Sequence, residues 1–245
     1  MFENFFNKKG DPASVPDGKR VYAIGDIHGR ADLLDALIGE ITADIGKLSD
    51  AQLIFLGDYV DRGEDSRGVI DRLIELRKSK SETVFLKGNH EASMLDFLEE
   101  PEDLPHWLDW GGLETLESYG VDTALPNELL ARELRKNMPD EHLKFLRSLT
   151  LNHREGDYLF VHAGIRPGAS LEEQTEEDML WIRSRFHNAS SAERPDFVVV
   201  HGHTPVDQPC DEGWRINVDT GACYGGSLTA VILEGTDRWF LSVRD

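Results

Sequence analysis

Short runs of apolar, β-favouring residues recur along this chain, and five of them end in a polar cluster. Residues 21–25 (VYAIG) run into Asp26-Ile27-His28, and residues 52–57 (QLIFLG) into Asp58-Tyr59-Val60-Asp61-Arg62-Gly63. Residues 83–88 (TVFLKG) run into Asn89-His90-Glu91, residues 158–161 (YLFV) into His162-Ala163-Gly164, and residues 197–202 (FVVVHG) into His203-Thr204. Apolar runs of this length, bounded by glycine and polar residues, predict buried strands. Between them, Leu33, Leu34, Leu37, Ile38, Ile41 and Ile45 fall at helical spacing over 31–46, and Val69, Ile70, Leu73, Ile74 and Leu76 follow the second run in the same way. Strands near 21–25, 52–57 and 83–87 separated by these helices read βαβαβ, a parallel layer with crossover helices.

Residues 91–149 carry helix-type patterns and no convincing strand, punctuated by Pro101, Pro105, Gly111, Gly112, Gly120, Pro126 and Pro139. They predict a helical insert over or beside the site. Farther on, 149–153 and 158–162 predict a hairpin, 179–186 a short helix, and 197–201, 215–218, 228–233 and 238–243 strands, the last two joined at Gly235-Thr236-Asp237. That half is expected to be mixed or antiparallel. At 245 residues and 40% hydrophobic, the chain is expected to form one domain over 20–245, after an N-terminal arm at 1–19. In the arm, Phe2, Phe5 and Phe6 predict either a docking element or a strip packed on the core.

Open α/β sheets place their sites beyond the carboxyl ends of the strands. The five clusters are therefore expected to meet at one edge of one core and hold two divalent metals. Asp26 and His28, two apart at a strand end, would face the same way and grip one cation. Asp58, after a glycine, can give one carboxylate oxygen to each of two metals, while Asp61 and Arg62 lie on the turn that follows. Asn89 offers a neutral oxygen and leaves the site net positive for a phosphate. His90, facing away from Asn89, suits an acid near the leaving group. His162 and His203 end the remaining runs. Taken singly, each cluster has a bland reading, such as a turn, a cap or a satisfied histidine; the ordered set points to phosphate-ester hydrolysis. Covalent rivals are missing: neither Cys210 nor Cys223 is followed by arginine six positions on, and no G-x-x-x-x-G-K-[ST] or G-x-S-x-G occurs.

A net charge of −20 argues against duplex nucleic acid or an anionic membrane surface as partners. It does not oppose a phosphorylated substrate, because a pair of divalent cations would outweigh ionised Asp26 and Asp58 locally. Two cysteines outside any metal-finger spacing imply a reducing compartment. No run reaches the roughly 18 apolar residues of a membrane span, and the opening residues lack the apolar stretch of a secretory leader.

GDIHGR (25–30), GDYVDRG (57–63), GNHE (88–91), HAG (162–164) and GHT (202–204) resemble, in order, the motifs of the phosphoprotein phosphatase family of calcineurin-like metallophosphoesterases. The resemblance covers about residues 20–232. It is nearest to the small bacterial and phage members, through His106-Trp107 with Gly111-Gly112, Leu180-Trp181-Ile182-Arg183, and Asn217-Val218-Asp219-Thr220-Gly221-Ala222. It implies an α/β fold of two mixed β-sheets packed as a sandwich and flanked by helices. It further implies that Asp26, His28 and Asp58 hold one metal, and Asp58, Asn89, His162 and His203 the other. By the same resemblance His90 is the general acid oriented by Asp61, Arg62 and Arg183 bind phosphate oxygens, and His201 is structural. The implied cofactor is a pair of divalent ions, Mn²⁺ first, with Fe and Zn²⁺ as alternatives. Lys87 replaces the arginine usual in eukaryotic relatives before GNHE, and Gly221–Gly226 replaces their SAPNY-type loop, so toxin and regulatory-subunit binding do not carry over. The implied enzyme is a cytoplasmic serine/threonine protein phosphatase, working by direct attack of a hydroxide bridging two metals. The alternative is a dinucleoside polyphosphate (diadenosine tetraphosphate) hydrolase, with Trp107, Trp110 or Tyr224 available to stack a base. A non-catalytic phosphate-binding module is the remote third reading.

Overall fold

Half of the described strands are buried and largely apolar on both faces, and each face finds its own cover. The structure, a computed structural model, describes residues 12–46, 50–79, 82–102 and 106–245; most of the N-terminal arm, with its three phenylalanines, lies outside them. β1 (Arg20–Ile24), β2 (Ala51–Phe55) and β3 (Glu82–Phe85) are parallel neighbours, crossed over by α1 (Ala31–Ile45) and α2 (Ser66–Lys78). The second sheet holds β4 (Asn152–Glu155), β5 (Tyr158–Val161), β6 (Val198–His201), β7 (Cys210–Asp211) and β8 (Arg215–Asn217), in the order β4-β5-β6-β8-β7. β9 (Leu228–Glu234) and β10 (Asp237–Val243) then return to the first sheet, giving β10-β9-β1-β2-β3. The first sheet is thus mixed by its β9 and β10 edge; the second is parallel over β5, β6 and β8, with antiparallel edges.

The period of two along each strand separates three apolar layers. Tyr22, Ile24, Leu53 and Phe55 face Leu34, Leu37, Val69 and Leu73 of the helices. Val21, Ala23, Ile54 and Val231 face Phe160, Val198, Val200 and Ile216 across the sandwich. Leu159, Val161 and Val199 face Met179, Phe186 and Trp214 on the far side. Strands covered on both faces have no reason to alternate with polar residues, which is why they read as continuous apolar runs. Burying each such aliphatic side chain contributes about 1.5–3 kcal/mol.

Three expectations need correction. The five clusters meet at one edge as expected, but from two sheets: three follow strands of the first and two follow strands of the second, so β1 to β3 supply only part of the site. The helix expected at 179–186 is two pieces, α7 (Glu176–Trp181) and α8 (Ser184–His187), because Ile182 turns extended and Arg183 leaves helical geometry. The strand expected at 149–153 begins at Asn152; Thr150 instead makes an isolated bridge to Leu86. The described part of the insert does form helices, α3 (Asn89–Glu99), α4 (Leu113–Ser118), α5 (Asn127–Asn137) and α6 (Asp140–Arg147). They are rooted in the first core by Phe97, Trp107, Leu116, Leu134 and Phe145.

Candidate metal centre

Among the described residues, five non-glycine residues have positive φ: His28 (46°), Asp58 (52°), Asp61 (73°), Arg62 (71°) and His203 (65°). All five are among the residues singled out from the sequence. Left-handed backbone costs a non-glycine residue about 1–3 kcal/mol and persists only where the surroundings impose it. Here the carbonyl of Asp58 accepts from the N–H groups of Ile27 (3.0 Å) and His28 (2.9 Å), which ties the loop after β1 to the loop after β2. Gly57 (φ 105°) and Gly88 let the loops after β2 and β3 touch, since a Cβ on Gly88 would strike the Asp58 carboxylate.

Glu91 organises the junction. Its Oε2 accepts from the backbone N–H of Asp58 (2.9 Å) and Gly88 (2.9 Å), and its Oε1 from Tyr59 (2.7 Å) and Val60 (3.2 Å). Burial and the Asp58 charge push its carboxyl up to about 7, and the donors from Gly88 and Tyr59 pull it back. Glu91→Gln keeps the shape but turns an amide NH₂ toward backbone donors and leaves two of them unpaired. The expected loss is about 2–4 kcal/mol of stability, read as a lowered urea midpoint; a midpoint within experimental scatter of the wild type would show that the clamp is dispensable.

Asp58 lies between two groups of side chains whose potential ligand atoms fall within 4.8 Å of one another: His28, Asp58 and His90, and Asp58, His162 and His203. Its Oδ2 is 3.4 Å from His28 Nε2 and its Oδ1 3.4 Å from His162 Nε2. His162 Nε2 is also 2.9 Å from Asn89 Oδ1 and 3.2 Å from His203 Nδ1. On the other side of the ring, His162 Nδ1 faces the Leu56 carbonyl at 3.0 Å. Burial drives the pKa of His162 below its ordinary value, so the ring is neutral and carries one proton for two sets of acceptors. With that proton on Nδ1 and donated to the Leu56 carbonyl, the Nε2 lone pair points at two oxygens. His28 repeats the pattern: Nδ1 faces the Val60 carbonyl at 2.8 Å, and burial lowers its pKa to about 3. The buried Nε2 of His203 has no protein partner, and burial lowers the pKa of that ring to about 2. Around His162 Nε2, acceptors aimed at one another with no proton between them suit a cation, and carbonyl-oriented imidazoles such as His162 and His28 are the usual support of metal ligands. The residues therefore fit a pair of divalent ions sharing Asp58.

The remaining groups sit close by. Asp26 accepts from the His203 N–H at 3.1 and 3.3 Å; burial, Asp219 and Asp58 push its carboxyl well up. It belongs to neither three-residue group, and His90 stands beside His28 instead. His90 Nδ1 is 2.6 Å from Asp61 Oδ2. Burial works to lower the His90 pKa, but the Asp58 and Asp61 charges outweigh it and hold it above the ordinary value. Arg62 places its guanidinium 2.5 Å from His28 Nε2 and 2.9 Å from His90 Nε2. Arg183 is exposed at the break between α7 and α8, and its charge is felt at His162, His203 and Asp219. His201 turns away: it is buried, with Nδ1 3.0 Å from the Gly202 carbonyl and Nε2 3.3 Å from Arg215.

Several participants were not assigned from the sequence. Trp107, a stacking candidate there, is 1% exposed and donates to Asp61 Oδ2 at 2.8 Å; Thr115 donates to Asp61 Oδ1 at 2.7 Å. Trp107 is thus wall and tether, not a base platform. Asp219, buried beside Asp26, has its pKa raised to about 6 by burial, against the Gly221 N–H that lowers it. Glu91 and Asp219 lie inside quoted motifs, but Thr115 has no local signal, since only tertiary folding brings it to Asp61.

Two sheets whose carboxyl ends converge on paired acceptor clusters define a metallophosphoesterase, and this chain belongs to the calcineurin-like phosphoesterase family, whose profile matches residues 19–232. Among curated proteins it is similar to the asymmetrical bis(5'-nucleosyl)-tetraphosphatase PrpE of Oceanobacillus iheyensis, at 27% identity over 86% of this chain and 87% of that one. It is likewise similar to the PrpE of Bacillus subtilis, at 28% over 84% and 87%. Among solved structures, a candidate diadenosine tetraphosphatase shares the fold with a TM-score of 0.66 at 22% identity, covering 95% of this chain and 98% of that one. A serine/threonine phosphatase from Saccharomyces cerevisiae shares it at 0.60 and 16%, covering 96% and 84%. No helix among the described residues is long and apolar enough to cross a membrane.

Proposed function

We propose that this enzyme hydrolyses dinucleoside polyphosphates, with diadenosine tetraphosphate as the test substrate. The supporting observation is the nucleotide name carried by relatives aligned over more than four-fifths of the chain. That similarity favours the nucleotide reading over the serine/threonine protein phosphatase that the motifs alone put first. The protein-phosphatase reading stays as the rival, because the motif set serves both.

In this reading Asp26, His28 and Asp58 hold one cation, and Asp58, Asn89, His162 and His203 the other, with Mn²⁺ the first choice for such mixed donors. A bound pair supplies Lewis acidity toward phosphoryl oxygens and acidifies water. The protein's own groups do the rest. Arg62 and Arg183 clamp non-bridging oxygens through their planar forks. Asp61, held by Trp107 and Thr115, keeps the His90 Nδ1 proton in place, so that Nε2, on the Arg62 side, serves the departing oxygen. The five left-handed residues fix these groups before substrate arrives, which spares reorganisation during the reaction. The two cysteines are unpaired, in keeping with a cytoplasmic home.

The deciding experiment measures kcat/KM with added Mn²⁺ on diadenosine tetraphosphate, phosphoserine and phosphothreonine peptides, and p-nitrophenyl phosphate. Diadenosine tetraphosphate is expected to exceed the peptides by at least tenfold. The opposite order would restore the protein phosphatase, and no turnover of any substrate would leave only a binding module.

A further inference from the structure

Few large apolar side chains are exposed among the described residues, and three of those are aromatic: Trp110 (42%), Trp181 (38%) and Tyr224 (65%). Trp110 and Trp181 come from different parts of the fold, the first in the kinked segment Leu108–Gly112 and the second at the end of α7. Their ring centroids are 5.4 Å apart at 61°. His106 stacks on Trp110 at 6.5 Å and 23°, and Trp181 meets the His203 ring at 6.3 Å and 84°. The result is a line of aromatic rings running from the acceptor cluster out to solvent.

Both tryptophans are keyed to the arginines assigned to phosphate. The Gly111 carbonyl, next to Trp110, accepts from the Arg62 N–H at 3.1 Å. Gly111 has φ 106°, and a Cβ there would run into the Arg62 backbone, so the turn is pressed against that arginine. Trp181 precedes Arg183 by two residues, and the helix break between them leaves both exposed beside His203. On the other side of Arg62, a cleft of about 760 Å³ carries five carboxylates, Asp245 among them, against three arginines, Arg62 included. Arg30 and Arg72 are already paired with Asp32 and Asp35. That cleft repels a polyphosphate chain, and the aromatic side does not.

We infer that Trp110, backed by Trp181, is the stacking platform for a nucleobase of the substrate. The inference rests on the nucleotide reading above and assigns its specificity to residues that lie outside the metal and phosphate groups. Every base has a π-face, so such a platform selects nucleotides over phosphopeptides or simple esters without choosing strongly among bases.

The test uses the full chain with Mn²⁺ and compares wild type, Trp110→Ala and Trp110→Phe. The ratio of kcat/KM for diadenosine tetraphosphate to that for p-nitrophenyl phosphate is expected to fall about tenfold in Trp110→Ala, mainly through KM, within the range for losing one base–aromatic stack. Trp110→Phe should recover most of the ratio. AMP should inhibit the wild type more strongly than ribose 5-phosphate, and the two should become alike in Trp110→Ala. A wild type that prefers phosphopeptides would sink the nucleotide reading and the platform together. A wild type that prefers diadenosine tetraphosphate, with a ratio unmoved by Trp110→Ala, would sink the platform alone. So would equal losses on both substrates, which a purely structural role would give.

Discussion

Asp58→Asn is expected to lower kcat/KM by about a thousandfold or more, equivalent to about 4 kcal/mol of lost transition-state stabilisation. The two Asp58 oxygens face opposite neighbours, Oδ2 toward His28 and Oδ1 toward His162, each at 3.4 Å. An amide keeps the volume but supplies one oxygen, and its NH₂ would point at an imidazole lone pair. Among the described residues no other side chain belongs to both acceptor groups, so losing this one carboxylate weakens both at once. The backbone around it is held by Glu91 and by the Ile27 and His28 N–H groups, so the circular dichroism spectrum should be unchanged. Elemental analysis should show fewer bound metal ions per chain than in the wild type. Turnover within tenfold of the wild type, at full metal content, would remove Asp58 from its shared position.

His90→Asn is the second large effect, and its signature is selectivity. A general acid contributes about 10²–10⁴-fold, and that help matters most when the departing oxygen is a poor leaving group. Hydrolysis of an alkyl phosphate should fall at least a hundredfold, and that of p-nitrophenyl phosphate much less. The geometry makes the measurement decisive, because His90 stands both 2.6 Å from Asp61 and within the acceptor group of His28 and Asp58. If it acts chiefly as a metal ligand, all substrates should lose the same factor. Parallel losses on alkyl and aryl esters would therefore move His90 from proton donor to ligand.

Much of the architecture was legible because burial on both faces writes itself into a strand as an unbroken apolar run. The βαβαβ order of β1 to β3 follows from runs and helical spacings that any reader of residues 20–85 can count. The break at Ile182–Arg183 was not legible: residues 179–186 have helical composition, and only the folded backbone shows that the chain leaves the helix there. Nor was the fate of the tryptophans. Trp107 and Trp110 are three apart in one polar, glycine-containing stretch, yet one is buried against Asp61 and the other is 42% exposed. The Asp26 and His28 pairing was argued from strand geometry, but β1 ends at Ile24 and both residues lie on a loop. What brings His28 to Asp58 is a left-handed turn tied to the Asp58 carbonyl.

By itself the sequence determined the family, the strand ends that carry metal-grade side chains, and the order in which they come, since these depend on residue type and short-range spacing. Tertiary structure decided which sheet each cluster follows and which acceptors face one another without a proton between them. It also decided that Glu91, Trp107 and Thr115 hold the others in place. Those outcomes depend on contacts between residues tens of positions apart, where a carbonyl 106 residues away, Leu56 for His162, sets which face of an imidazole is left for a cation.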